Sequence, residues 1–188
     1  MACELELGIA FDCDVKTAGG MAQKVWALNY NDLLDPTAFI AAVNDDDNAV
    51  STIPLVAYAT LFGLETAPQG YTAGAEGLPD STERIQLFNH TLTGRFYSPG
   101  VATDKTIVQL TQAIGLIFVI ETKGKEFFIV GGEGNGFATA HTKNTGASVS
   151  DDPAVQITFV AKEQARPMKR FIVGSGYADT KAYLEGLE

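Results

Sequence analysis

Sulfur and imidazole are scarce in this chain. Cys3 and Cys13 are the only cysteines among 188 residues, and His90 and His141 the only histidines. The two cysteines close an alternating segment, Cys3, Leu5, Leu7, Ile9, Phe11 and Cys13, with Glu4, Glu6, Gly8, Ala10 and Asp12 between them. That alternation predicts a half-buried strand, along which ten residues place the sulfurs roughly 30 Å apart, too far for a disulfide. Both are read as small buried apolar residues. No histidine or further cysteine stands at ligand spacing, so no metal site is expected. Positive charge is also short: 13 Lys and Arg face 23 Asp and Glu, a net charge of −10. Such a surface repels phosphates and anionic membranes, which excludes tight sequence-specific DNA binding. No apolar run reaches the ~18 residues of a membrane helix. The start, MACELELG, has neither a basic region nor a long apolar stretch, so no secretory signal is expected and the chain reads as a soluble protein made in a cytoplasm.

The motifs of catalysis are missing as well. IVGGEGNGFATAH (129–141) puts four glycines in six positions after an apolar run. A phosphate loop needs Lys and Ser/Thr after its last glycine; Gly131 and Gly136 have the spacing, but Phe137 and Ala138 follow. A dinucleotide fingerprint needs a third glycine and a helix, and FATAHTKNTGASVS has no helical period. The glycines are therefore read as serving loop geometry, at the exit of a hairpin into a long connection over 131–150. NDDDN (44–48) lacks the central glycine and distant glutamate of a calcium loop and reads as a solvated acidic turn. GSG at 174–176 continues into Tyr177 and Ala178, not into a nucleophile elbow. The expectation is a protein that is not an enzyme and holds no cofactor.

What is present is a pattern of short strands. Hydrophobic residues make up 46% and 19 glycines are spread along the chain, as in a folded domain with many turns. KVWALNY (24–30) predicts a strand with Trp26, Leu28 and Tyr30 on one face. LDPTAFIAAVNDDDN (34–48) reads either as a short helix opened by Asp35 and Pro36 or as loop with a strand fragment. STIPLVAYATLFGLET (51–66) predicts a long strand apolar on both faces: Ile53, Leu55, Ala57 and Leu61 on one, Val56, Tyr58, Phe62 and Leu64 on the other. Such a strand must be covered on both sides, by its own core and by another subunit. APQGYTAGAEGLPDSTE (67–83) reads as a long exposed loop. RIQLFNHTLTGRFY (84–97) predicts a strand whose apolar parity switches between Phe88 and His90, the mark of a bulge or twist. TDKTIVQLTQAIG (103–115) predicts a helix with Ile107, Leu110 and Ile114 on one face, capped by Thr103 or Asp104 and stopped by Gly115. LIFVIETKGKEFFIVGG (116–132) predicts a hairpin, VQITFVA (155–161) a strand, RFIV (170–173) a last strand and DTKAYLEGLE (179–188) a short helix or arm. No linker divides the chain, so one domain over 1–188 is expected.

Three segments carry a resemblance. They are ACELELGIAFDC with AGGMAQKVWALNY at the start, LFNHTLTGRFYS with DKTIVQLTQAIG and LIFVIETKGKEFFIVGG in the middle, and SVSDDPAVQITFVAKEQARP near the end. In this order, over about two thirds of the chain, they resemble the tail tube (major tail) proteins of phages infecting Bacteroidetes-like bacteria. No single motif is diagnostic; the order is what persuades. TAPQGYTAGAEGLPDS and PTAFIAAVNDDDN depart as local elaborations, and VGSGYADTKAYLEGLE runs past the usual end, with 174–188 as a C-terminal extension.

The resemblance implies a mainly β fold, a β-sandwich or barrel with one amphipathic helix packed on the outside, that forms rings. It implies a virion structural protein, assembled in the host cytoplasm, whose hexameric rings stack into a tail tube for DNA ejection. The partners implied are other copies of itself, tape measure, terminator and baseplate proteins, sheath in a contractile tail, and genomic DNA passing without tight binding; no membrane is involved. Leu55, Ala57, Tyr58, Leu61, Phe62, Gln69, Tyr71 and Leu78 are the expected subunit contacts. Asp45, Asp46, Asp47, Glu83 and Glu121 are the expected acidic lumen residues. The alternatives are a related ring component (tail terminator, baseplate or head–tail connector subunit) and a ligand-binding β-domain.

Overall fold

A computed structural model of the chain describes residues 20–45, 48–66, 70–79, 86–96, 101–144 and 154–188. The expected strand at 3–13 with its two cysteines, the turn that follows it, and Asp46, Asp47, Gln69 and Glu83 lie outside them. The described chain is mainly β, with nine strands in one antiparallel sheet and three helices. The strands are β1 (Met21–Asn29), β2 (Phe62–Glu65), β3 (Tyr71–Pro79), β4 (Gln86–Phe96), β5 (Ile114–Thr122), β6 (Phe127–Val130), β7 (Gly136–Asn144), β8 (Ala154–Gln164) and β9 (Lys169–Arg170). Their order is β2-β1-β5-β7-β8-β4-β3, with β6 beside β5 and β9 beside β6.

The sheet folds over at β5. Its first residues pair with the start of β7, and Phe118 to Glu121 pair with β6. Side chains of β1 and β5 thereby meet those of β4 and β8 in a first core, where the rings of Phe118 and Phe159 lie 4.7 Å apart. No ladder joins β2 to β3. The expected sandwich-or-barrel is thus an open, folded-over sheet and not a closed barrel.

A second core lies on the other face of β1, β5 and β6, around Trp26, Ile117, Val119 and Ile129. Three elements cover it: helix α1 (Pro36–Asn44), helix α3 (Tyr177–Gly186) and the chain from Val50 to Leu61. Val25, Trp26, Ala27 and Leu28 are consecutive and all buried, because β1 is sandwiched between two cores. At about 1.5–3 kcal/mol per large apolar side chain, this double-faced burial is the main source of stability.

The condition of being covered on both sides, expected for 51–66, therefore falls to β1 and β5, and this chain's own helices supply the cover. The segment 51–66 is not a long strand. Pro54 has no N–H to give, and the neighbouring backbone is satisfied elsewhere. Ile53 N–H donates to the Tyr183 hydroxyl at 3.0 Å, Val56 N–H to the Asp32 carbonyl at 2.9 Å and Leu61 N–H to the Leu187 carbonyl at 2.8 Å. Leu55 forms a single bridge with Leu33, and only β2 is regular.

Of the two readings of 34–48, the helix is the observed one. The Asp35 carboxylate accepts from Ala38 N–H at 3.0 Å, Pro36 opens α1, and Phe39 and Val43 face the second core. Such a cap is worth about 1 kcal/mol. Helix α2 (Val101–Gln112) starts before the expected caps and buries Ile107 and Leu110. Ile114 leaves its expected helical face: it opens β5 and is 84% exposed. The expected C-terminal extension is part of the fold, since α3 seals the second core with a fully buried Leu184. Two further expectations are overturned. Residues 71–79, expected as loop, form β3, paired with β4 from Tyr71 to Pro79. The expected connection over 131–150 becomes a tight turn, Gly131–Asn135, followed by β7. The irregularity foreseen at Phe88–His90 is present as a register shift, but the extra residue belongs to β8: Phe88 opposes Gln164 and His90 opposes Ala161, Glu163 has φ of 56°, and β4 itself pairs with β3 without a break.

Candidate functional site

The strands β7, β8, β4 and β3 make a four-stranded antiparallel layer. One face supplies Tyr71, Leu92, Phe96, Val155, Ile157 and Phe159 to the first core. The other is built from rows of residues opposite one another across strands. Thr72, Thr93, Thr158 and Ala140 form one row, Gly74, Thr91, Val160 and Phe137 a second, and Arg95, Gln156 and Thr142 a third. Directly opposed side chains share a face, and the Thr93 and Thr158 hydroxyls lie 3.2 Å apart. The face is rich in threonine, with Val160 and the partly exposed Phe137 as its apolar members, and Arg95 is the one charged residue of these rows.

Among the described residues neither border of this layer has a further strand, although helix α2 lies beside β7, where Lys143 pairs with Asp104 at 3.3 Å. β3 has no partner beyond β4, and β7 has none other than β8 after Phe137. The phase of β3 follows from one bond: Arg95 N–H donates to the Gly70 carbonyl at 2.7 Å. Even-numbered residues of β3 therefore bond to β4, and the N–H and C=O groups of Ala73, Ala75 and Gly77 point outward. An open border of this kind is a template for another strand.

The expected contact residues are dispersed. Tyr58 is fully exposed on a turn, with φ of 70°. Phe62 is 51% exposed on β2 and Ala57 is exposed, whereas Leu55 is half-buried. Leu61 and Tyr71 are buried at 2% and 4% exposure and are core, not contact, residues. Tyr71 donates its hydroxyl to the Leu64 carbonyl at 2.9 Å. Burial, and then the charge of Glu65, push its ionisation well above the ordinary tyrosine value. Leu78 lies in β3, opposite Leu87. Of the expected lumen acids, Asp45 ends α1; its carboxylate accepts from Asn48 and its carbonyl from Lys169. Glu121 is buried at 6% exposure and committed to α3: the Tyr177 hydroxyl donates to it at 2.7 Å and Lys181 reaches it at 3.3 Å. That engagement removes it from any solvent-lined surface. Neither residue lies in the threonine-rich rows.

An apolar groove of about 380 Å³ opens between α2 and β2, lined by Ala27, Phe62, Leu64, Leu110, Ala113 and Leu116 together with Asn29, Thr106 and Gln109. It has no charged lining group. Among the described residues no three His, Cys, Asp or Glu side chains converge to hold a metal ion. Comparison of the chain with protein-family models, curated proteins and solved structures yields no match.

The two border strands were hidden from sequence reading because β3 and β7 are rich in glycine, alanine and threonine. The available signal was the weak alternation of Tyr71 and Ala73 with Thr72 and Gly74, and the tract Thr139 to Thr142.

Proposed function

We propose that this protein is a structural subunit that joins head to tail with copies of itself into a ring, as a phage tail tube protein does. The observation that supports this reading is the pair of borders without a further strand, β3 and β7, on opposite sides of one antiparallel layer, with helix α2 beside β7 leaving its backbone unpaired by any strand other than β8 after Phe137. The layer has four strands, an even number, so β3 and β7 run in opposite directions. The β7 of a second copy placed beside β3 with the same orientation therefore continues the antiparallel pattern without a break. A contact between two different surfaces closes into a ring when its rotation permits, and closure removes both borders. Six copies per ring, and stacking of rings into a tube, follow the resemblance of the sequence.

The threonine-rich face is assigned to the lumen. Its hydroxyl rows carry one cation per copy in the residues described, too few to retain a polyphosphate by counterion release. DNA passes such a wall without being held.

Negative-stain microscopy of the purified protein at high concentration, with sedimentation velocity, tests the reading. Rings or tubes are expected. A strictly monomeric protein refutes it. Single rings that never stack point instead to a terminator or another one-ring component. A monomer stabilised by an apolar small molecule in the α2–β2 groove points to the ligand-binding reading.

A further inference from the structure

His90 is 2% exposed and sits on β4 where its register with β8 shifts, between two connections of the chain. Its two ring nitrogens have different partners. Nδ1 accepts the N–H of Gly131 at 3.2 Å, and Nε2 lies 2.9 Å from the Arg166 carbonyl. The backbone N–H of Gly131 can only donate and the Arg166 carbonyl can only accept. The ring is therefore neutral, with its single proton on Nε2. Gly131 opens the turn that leads from β6 into β7, and Arg166 belongs to the connection from β8 to β9. One imidazole thus ties two connections to a third strand.

We propose that His90 is an acid-sensitive pin: protonation of its Nδ1 releases the Gly131–Asn135 turn and the 165–168 connection while the two cores stay folded. A proton on Nδ1 turns the acceptor into a donor aimed at another donor. The Gly131 N–H is then buried with no partner, which costs about 1–3 kcal/mol, and the imidazolium itself is poorly solvated.

Ionisable groups lie on each of the elements around the ring. Glu133 lies on the turn, Arg166 on the connection, Lys162 and Glu163 at the end of β8, and Glu76 next to Ala75, which faces His90 from β3. Burial holds the ring below the ordinary histidine value, against the Arg166 carbonyl and the charge of Glu133, which favour the cation. Space for rearrangement within the closed corner is small. A β-carbon on Gly131 would meet the Leu116 carbonyl at 3.1 Å and the Ala161 methyl at 3.2 Å, so a shift of the Gly131 N–H requires the turn to open.

The sign follows from linkage. The neutral ring is required in the closed corner, and the open corner lets it protonate at the ordinary value. Closure is complete above about pH 6.5 and the opening constant rises about tenfold for each pH unit below it, until the folded ring itself takes up the proton.

The test is amide exchange of the full chain, resolved by residue and normalised for intrinsic rates, between pH 7.5 and pH 4.5. Protection at Gly131–Asn135 and Ala165–Met168 is expected to fall about tenfold per pH unit below the ordinary histidine value, while Val25–Leu28 and Ile117–Ile120 keep theirs. His90→Gln offers an amide oxygen to Gly131 and an N–H to Arg166 without titrating, and is expected to abolish this pH dependence. Should that variant fail to fold, the NMR titration of the His90 ring in the unaltered protein decides alone. Protection that is flat with pH, protection lost in step with the cores, or a His90 ring that protonates with no change at the turn each overturns the proposal.

Discussion

A β-carbon added to Gly134 would overlap the ring of Tyr30. The turn after β6 and the end of β1 are therefore in contact through the absence of a side chain. Gly134 also has φ of 73°, and its N–H closes the turn onto the Gly131 carbonyl at 2.9 Å. This glycine serves packing and turn geometry together, which is why a glycine-rich stretch with no phosphate chemistry follows a strand.

Gly134→Ala is accordingly expected to destabilise the protein by about 2–4 kcal/mol, through a strained φ and displacement of Tyr30. Gly74 has open space around a prospective β-carbon and no positive φ. Gly74→Ala is expected to stay within about 0.5 kcal/mol of the parent. Urea denaturation followed by the fluorescence of Trp26, the only tryptophan and fully buried, separates the two. Equal midpoints would show that the contact carries no weight.

The anchoring of α3 gives a second expectation. Glu121 holds Tyr177 and Lys181 one turn apart on the helix, and the Tyr177 ring stacks on Phe127 at 5.6 Å. Tyr177→Phe keeps the stacking and removes one hydrogen bond to a buried carboxylate, an expected loss of about 1.5–3 kcal/mol. Glu121→Gln combined with Tyr177→Phe is expected to cost less than the sum of the single changes, because both act on one bond. Urea midpoints of the four proteins of the cycle measure this, and strict additivity would exclude the coupling.

These contacts mark where sequence reading succeeds and where it stops. The register shift at Phe88–His90 was legible because Leu87, Phe88 and Leu92 break the period of two, but the strand that carries the extra residue, β8, was not, and Leu87 and Phe88 end only half-buried. Asp35-Pro36 announced α1 by local chemistry alone, and TKGKE announced the β5–β6 turn. Residues 51–66 misled because apolar content signals burial, not the partner of the backbone; here Asp32, Tyr183 and Leu187 take the bonds of a would-be strand. The candidate site was the least legible part. Border strands bury little, so Gly74, Ala75 and Gly77 in β3 and Ala138 and Ala140 in β7 carry almost no hydrophobic pattern, and pairing with β4 and β8 decides their conformation. Glu121 looked like a surface acid because its partners lie 56 and 60 residues further along the chain.

Alkaline pH reads the burial of Tyr71. Its neutral form is favoured in the fold, by burial first and then by Glu65, so its contribution is intact below the unfolded value of about 10 and is lost as pH rises past it. Tyr71→Phe is expected to cost about 1 kcal/mol at pH 7 through loss of the bond to Leu64. Above pH 10 the variant is expected to lose stability with pH less steeply than the parent, by up to about 1.4 kcal/mol per unit. Urea titrations at pH 7, 9 and 11 give the two slopes; parallel slopes would mean that Tyr71 ionises freely in the folded protein.

The outer border of β3 offers the sharpest test of assembly. Ala75 is exposed, and by the phase that the Arg95–Gly70 bond sets, its N–H points away from β4. Ala75→Pro removes that donor and places a ring where a neighbouring strand would lie, while every β3–β4 bond is kept. The described fold has little reason to change, and the midpoint of unfolding is expected within about 1 kcal/mol of the parent, allowing for proline's fixed φ. Assembly is expected to fail, because a ring needs every one of its junctions and one lost bond with one steric block recurs at each. Thr72→Val serves as the control. It lies on the same strand, on the threonine-rich face, with its N–H and C=O directed at β4, so rings are expected to persist while the hydroxyl row is interrupted. Sedimentation velocity and negative-stain images of the two variants decide between the border and the face. Rings from Ala75→Pro that match the parent's in number and size would show that β3 is not the joint.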